Sequence, residues 1–154
     1  MTRIFAIFLF LATPVLAQPS MTEDMFDYAD NCIDLTIGGD TAQAVCQSEV
    51  QNLCYPDALP EGVADCTALE ARIWEDVLSA TVTDVRAVLS NMTVEGRDLA
   101  GELDAAQTEW QRWSEGHCAL ATTMAQIMSD TDLGLYCRMG LLRARIIQVR
   151  KLTW

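Results

Sequence analysis

Basic residues are scarce in this sequence. Lysine and arginine together number 10, against 22 aspartates and glutamates. Residues 18–137 contain all 22 acids and four arginines, which leaves a charge of −18, whereas residues 138–154 contain five basic residues and no acid. A field of this sign repels phosphate and attracts cationic proteins, so we expect no nucleic acid partner. The structural alternative is that a basic last helix neutralises an acidic bundle.

Signatures of metal sites and of common enzymes are also missing. Histidine occurs once, at His117, and there is no Cys-x-x-Cys pair, no Gly-x-Ser-x-Gly and no glycine-rich phosphate loop. We therefore expect no metal, no cofactor and no catalytic activity. His117 precedes Cys118, but neighbouring positions on a helix do not face each other, so a structural histidine is favoured over a catalytic pair.

Long apolar runs are absent beyond the N-terminus. Arg3 precedes an apolar run over residues 4–11, and small residues up to Ala17 form a cleavage site. This predicts a signal peptide over residues 1–17, cleaved after Ala17, and a periplasmic or secreted bacterial protein without a stable membrane anchor. Six cysteines in an exported chain predict three disulfides, although six cysteines can pair in many ways.

Apolar residues recur in steps of three and four along most of the mature chain, and no period-two strand pattern persists. The sequence therefore predicts an all-α fold, a small disulfide-stabilised bundle of four to five helices. Residues 18–53 are predicted to form an N-terminal helical hairpin that turns at Gly38–Gly39, with Thr22 capping its first helix. Cys32 and Cys46 lie equally far from Gly39 and would face each other across this hairpin.

The most regular pattern begins at Leu99 and continues through Cys118 towards Met128. Its apolar positions alternate in steps of four and three, and we expect all of them to face the core: Leu99, Leu103, Ala106, Trp110, Trp113, His117 and Leu120. The inner face of the last helix is predicted to be Leu133, Cys137, Gly140, Leu141, Ala144 and Ile147.

Three groups of residues form a recognisable pattern: Cys54 and Cys66 with Glu70, Trp74 and Leu78; Ala106, Gln107, Trp110, Trp113 and Cys118; and Cys137 with Arg145. With this pattern, residues 54–152 resemble the N-terminal domain family of LprI-type lysozyme inhibitors, exported bacterial proteins that are mostly of unknown function. The chain departs from the family pattern at Ser114–Glu115, where Arg-Asp is usual. It also lacks the Gly-Gly-Ser loop between the last two cysteines.

The resemblance implies the pairs Cys54–Cys66 and Cys118–Cys137, and Cys32–Cys46 follows by elimination and from the hairpin. It divides the mature chain into the hairpin extension, residues 18–53, and an LprI-like helical domain, residues 54–154. It also implies a non-enzymatic binding protein, a lysozyme inhibitor whose partner is cationic. The alternative is a general periplasmic interaction module without lysozyme activity.

The family motif residues are expected to be structural, because they fall on predicted inner faces. For Arg145, a contact within the bundle is favoured over a protruding side chain that enters the lysozyme cleft. A helix that lasts to Met128 places Cys118 roughly 15 Å from its end, whereas Cys137 lies near the start of the next helix. Either the helix ends near Met124 and a long loop follows, or the two helices are offset.

Overall fold

The computed structural model describes residues 20–36, 46, 50–128 and 133–153. In these residues it has four long α-helices and no strand: α1 (Met21–Thr36), α2 (Cys66–Ser90), α3 (Leu99–Met128) and α4 (Leu133–Arg150). Cys46 and residues 50–52 are also helical, and a 3-10 turn spans Pro56–Ala58. The predicted all-α class is confirmed. The signal peptide over residues 1–17 and the turn at Gly38–Gly39 lie outside the described residues.

Short side-chain bonds set where the helices begin. The Ser20 hydroxyl accepts from the backbone N–H of Glu23, and the Glu23 carboxylate accepts from the backbone N–H of Ser20 at 2.6 Å. This reciprocal capping box starts α1 one residue after Ser20, so the expected Thr22 cap is wrong. Asp65 caps α2 by accepting from the N–H of Ala68 at 2.8 Å. Each bond satisfies an amide that has no partner within its helix.

The main core lies between α1, α2 and α4. Trp74 and Val77 of α2 are fully buried there against Met139 and Ile146 of α4, and α1 adds Met25, Ala29 and Ile33. A smaller cluster of Val85, Leu89, Leu103 and Val149 lies near the turn between α2 and α3. The last helix packs against both α2 and α3 more extensively than these two pack against each other. It therefore lies between α2 and α3 and joins them.

The expected inner face of α4 is wrong. The buried residues are Met139, Leu142, Arg143, Ile146 and Val149, whereas Leu141 and Ile147 are only partly buried. Because α4 has neighbours on several sides, apolar residues occur nearly all around it and leave no single clear stripe. The buried Arg143 obscures the pattern further, since a charged residue normally marks an outer face.

Three disulfides join the helices and the loop: Cys32–Cys46, Cys54–Cys66 and Cys118–Cys137. The first ties α1 to the helical segment at Cys46, and the second closes the loop that contains the 3-10 turn. Cys118–Cys137 joins the middle of α3 to the first turns of α4. Among the described residues, no helix is long and apolar enough to cross a membrane.

The helices α3 and α4 are offset, which is the second of the two arrangements expected. Helix α3 continues to Met128, yet Gly134 near the start of α4 lies against Thr122. Thr122 is six residues before the end of α3, so α3 extends roughly 9 Å past the start of α4.

Candidate functional site

A groove of about 730 Å³ opens between α2, α3 and α4. It exists because α2 and α3 contact each other less than each contacts α4, so the two helices form walls above α4. Leu78 and Leu142 are buried beneath it, and Val82, Trp110 and Leu135 form partly exposed apolar walls. A groove of this volume falls in the range of ligand pockets, roughly 300–1,000 Å³.

Four residues with hydroxyl groups line the groove, Ser79, Thr83, Ser114 and Thr122, and the last three donate their protons to their own helices. Thr83 donates to the carbonyl of Ser79, Ser114 to that of Gln111 and Thr122 to that of Cys118, all at 2.9 Å. A hydroxyl that has donated its only proton keeps its lone pairs as acceptors. These side chains therefore offer acceptors to the groove.

Charged side chains lie on the groove lining as well. The Arg138 Nε forms an ion pair with Glu75 Oε1 at 2.7 Å, which joins α4 to α2, and both side chains remain about half exposed. Glu115 on α3 is the second carboxylate of the lining. An exposed ion pair of this kind contributes little to stability, about 0–1 kcal/mol, and exchanges readily with other partners.

Gln107, Trp110 and Arg145 form a contact between α3 and α4 beside the groove. Arg145 Nε donates to Gln107 Oε1 at 3.0 Å, and its guanidinium carbon lies 5.7 Å from the centre of the Trp110 ring. Partial burial lowers the pKa of Arg145. A guanidinium held by an amide and an indole ring joins the two helices, which supports the structural role over a protruding one.

A second cluster lies inside the main core and joins α2 to α4. The Trp74 indole Nε1 donates to Glu70 Oε1 at 2.9 Å, and Arg143 Nη1 lies 3.7 Å from the same oxygen. The Arg143 guanidinium also lies 5.4 Å from the centre of the Trp74 ring. Within the described part of the chain, Arg143 Nε and Nη1 have no hydrogen-bond partner. Arg143 is the member of this cluster that sequence reasoning missed.

Burial dominates the electrostatics of this cluster. It raises the pKa of Glu70, although the hydrogen bond from Trp74 and the charge of Arg143 act in the opposite direction. It lowers the pKa of Arg143, and the charge of Glu70 opposes that shift. Both side chains are almost fully enclosed, since Arg143 is 4% exposed and Glu70 is 2% exposed, so neither can reach a ligand. We assign this cluster to the stability of the bundle.

The expected inward orientation of Ala106, Trp113, His117 and Leu120 is wrong. All four are exposed, Trp113 to 54%, and the Trp113 ring stacks on that of His117 with centroids 5.1 Å apart. The buried face of α3 instead includes Leu103 and Gln107. After Leu103 this face continues four residues on, at Gln107, rather than three residues on, at Ala106, so the predicted stripe lies on the exposed side at Trp113.

The motif residues fall into three places. Four of them line the groove: Leu78, Gln107, Trp110 and Cys118. Arg145 contacts Gln107 and Trp110 beside the groove. Glu70 and Trp74 lie in the core, and Ala106 and Trp113 lie in neither place. Among the described residues, no group of three or more His, Cys, Asp or Glu is placed to hold a metal ion. The groove brings several motif residues together with charged side chains at a surface open to solvent, and we take it as the candidate site.

A family model described as "Lysozyme inhibitor LprI" matches residues 56–149, which is more than half of the chain. The chain belongs to the LprI family. The match spans α2, α3 and nearly all of α4, so all three walls of the groove lie within the LprI region. No curated protein and no solved structure matched the chain.

Proposed function

We propose that this LprI protein is exported and acts without catalysis, by binding a cationic lysozyme and inhibiting it. The single observation that carries the proposal is the family match over residues 56–149. We place the signal peptide at residues 1–17, the hairpin extension at residues 18–53 and the LprI domain at residues 54–154. Export after cleavage at Ala17 would bring the protein to the compartment where lysozyme acts.

The distribution of charge supports a cationic partner. Three arginines of α4 lie beside acids of other helices: Arg138 pairs with Glu75, Arg143 lies beside Glu70, and Arg150 pairs with Asp30 of α1. These acids offset the charges of the three arginines, which reduces their repulsion of a cation. A protein with 22 acids and 10 basic residues attracts a cationic protein before contact, and this attraction raises the association rate.

A lysozyme assay tests the proposal directly. Purified, oxidised residues 18–154 are added to a lysozyme that is clearing a suspension of bacterial cell walls, and turbidity is followed with time. We expect inhibition that rises with dose and saturates near equimolar protein. It should weaken as salt shortens the Debye length from roughly 14 Å at 0.05 M to roughly 4 Å at 0.5 M.

The matched control is the same chain with its disulfides reduced and its thiols blocked by a neutral reagent. This control keeps the sequence and the net charge but lacks the three cross-links that hold the fold. Equal inhibition by both forms would indicate nonspecific binding by a polyanion, and no inhibition at a large molar excess would overturn the proposal. That second result would favour the alternative, a periplasmic interaction module without lysozyme activity, which the Ser114–Glu115 departure in the groove wall supports.

A further inference from the structure

We propose that the groove between α2, α3 and α4 receives an arginine or lysine side chain of a cationic protein partner. The inference rests on the proposed function, since it names the chemistry by which the partner is held. It follows from three properties of the groove: its hydrogen-bonding groups, its charge and its apolar walls.

Donors from Ser79, Gln107 and Gln111 are present on the lining, but its carboxylates and three of its four hydroxyls favour a ligand that donates. The Oγ atoms of Thr83, Ser114 and Thr122 have donated to their own helices and present only lone pairs. The carboxylates of Glu75 and Glu115 accept and do not donate when ionised. A guanidinium has five N–H donors and an ammonium has three, and neither has an acceptor. Acceptors on the lining therefore match either cation.

The net charge of the lining also favours a cation. Glu75, Glu115 and Arg138 are its charged members, which leaves one carboxylate in excess. Arg138 already shows that a guanidinium fits this chemistry, because it reaches from α4 to Glu75 at 2.7 Å. A cation from a partner would neutralise Glu115, or replace Arg138 at Glu75. Burying an unpaired charge would be costly, and neither of these two exchanges does so.

The apolar walls suit the stem of a long cationic side chain. Val82 of α2, Trp110 of α3 and Leu135 of α4 line the groove and are each partly exposed. Arginine and lysine bury their methylene groups along such surfaces while the charged head stays with polar partners. The volume of about 730 Å³ also leaves room for the neighbouring residues of the partner chain.

The first arm of the test uses a small probe and needs no lysozyme. Isotope-labelled protein is titrated with the peptide acetyl-Gly-Arg-Gly-amide, and amide and indole shifts are followed by NMR. Acetyl-Gly-citrulline-Gly-amide, which is nearly isosteric but uncharged, is the control probe. We expect saturable shifts at the Trp110 indole and at the Gln111 and Ser114 amides with arginine only. Equal shifts with both probes, or shifts spread evenly over acidic surfaces, would overturn the inference.

The second arm uses two variants that remove one negative charge each. Glu115→Gln changes the groove, whereas Glu95→Gln changes the turn between α2 and α3, outside the groove lining. The loss of one charge-assisted hydrogen bond should raise the dissociation constants of the arginine probe and of lysozyme about tenfold for Glu115→Gln. For Glu95→Gln, the change should stay within about twofold.

The two arms separate failure of this inference from failure of the proposed function. If the arginine probe binds the groove and lysozyme is not inhibited, the groove assignment stands and the lysozyme assignment falls. If the Glu115→Gln and Glu95→Gln variants inhibit lysozyme equally and the arginine probe shifts no resonance of the groove, the proposed function stands and the groove assignment is overturned.

Discussion

The buried contact between Glu70 and Arg143 allows a quantitative test of what joins α2 to α4. Arg143→Met keeps a long, flexible side chain but removes the guanidinium, whose Nη1 lies 3.7 Å from Glu70 Oε1. Both side chains are almost fully enclosed, so the variant leaves a carboxylate inside the core with only the Trp74 N–H beside it. Breaking a buried pair in this way should lower the free energy of unfolding by about 3–5 kcal/mol at neutral pH.

The cost of Arg143→Met should depend on pH, and its sign follows from the causes of the Glu70 shift. Burial raises the pKa of Glu70, and the charge of Arg143 is one of the two effects that lower it. Removing Arg143 therefore raises the pKa of Glu70 further in the folded state than in the unfolded state. The folded variant then binds a proton more tightly, so its deficit should shrink as pH falls from about 7 towards about 4.5.

Urea unfolding followed by circular dichroism at both pH values measures these differences. Glu70→Gln leaves Arg143 buried without a carboxylate and also removes the stability that the raised pKa of Glu70 adds as pH falls, so its cost should be larger at about pH 4.5 than at about pH 7. The double variant Glu70→Gln/Arg143→Met should cost less than the sum of the singles, by about 0.5–3 kcal/mol.

The matched control is Arg112→Met, which breaks an exposed pair with Glu109, 68% and 72% exposed, and should cost under about 1 kcal/mol. If Arg143→Met costs no more than this control, or costs the same at both pH values, the reasoning is refuted.

Three further changes test the packing of α3 on α4. The double variant Cys118→Ala/Cys137→Ala opens a 19-residue cross-link and should lower the free energy of unfolding in urea by about 3 kcal/mol; an unchanged value would contradict a stabilising role. Gly134→Ala places a methyl group 2.2 Å from Thr122 Oγ1 and should destabilise by about 1–3 kcal/mol, with recovery when Thr122→Ala is added. Gly140→Ala, which meets no atom within 4 Å, should instead raise the melting temperature through a gain of about 0.5–1 kcal/mol. Equal melting temperatures for the two glycine variants would show that Gly134 is not a close contact.

Local signals in the sequence are sufficient for the helical class and for most helix boundaries. The period of three and four residues, the glycines and the capping residues act within a few positions, so they can be recognised without knowing the fold. Even the Ser20 cap had a signal, because Ser-x-x-Glu at residues 20–23 is a capping box. Helix α3 was expected to begin at Leu99, and it does.

Which face of a helix is buried depends on its neighbours, and the sequence does not show these. On α3 the buried face continues from Leu103 to Gln107 rather than to Ala106, which leaves Trp113 in solvent, and on α4 the contacts with both α2 and α3 bury Arg143 among apolar residues. The groove cannot be recognised in the sequence either, because its hydroxyls belong to separate helices, α2 and α3, and come together only in the folded bundle. The motif did identify one wall, because Gln107 and Trp110 fall beside each other on α3.

The dissociation constant of the complex between oxidised residues 18–154 and a purified lysozyme is the most direct measurement of the central claim. Calorimetry at low and at high salt gives the stoichiometry and the salt dependence together. We predict a one-to-one complex that weakens markedly between roughly 0.05 M and roughly 0.5 M salt, as expected when exposed charges contribute to binding. The absence of detectable binding at low salt would contradict the claim that this LprI protein acts on lysozyme.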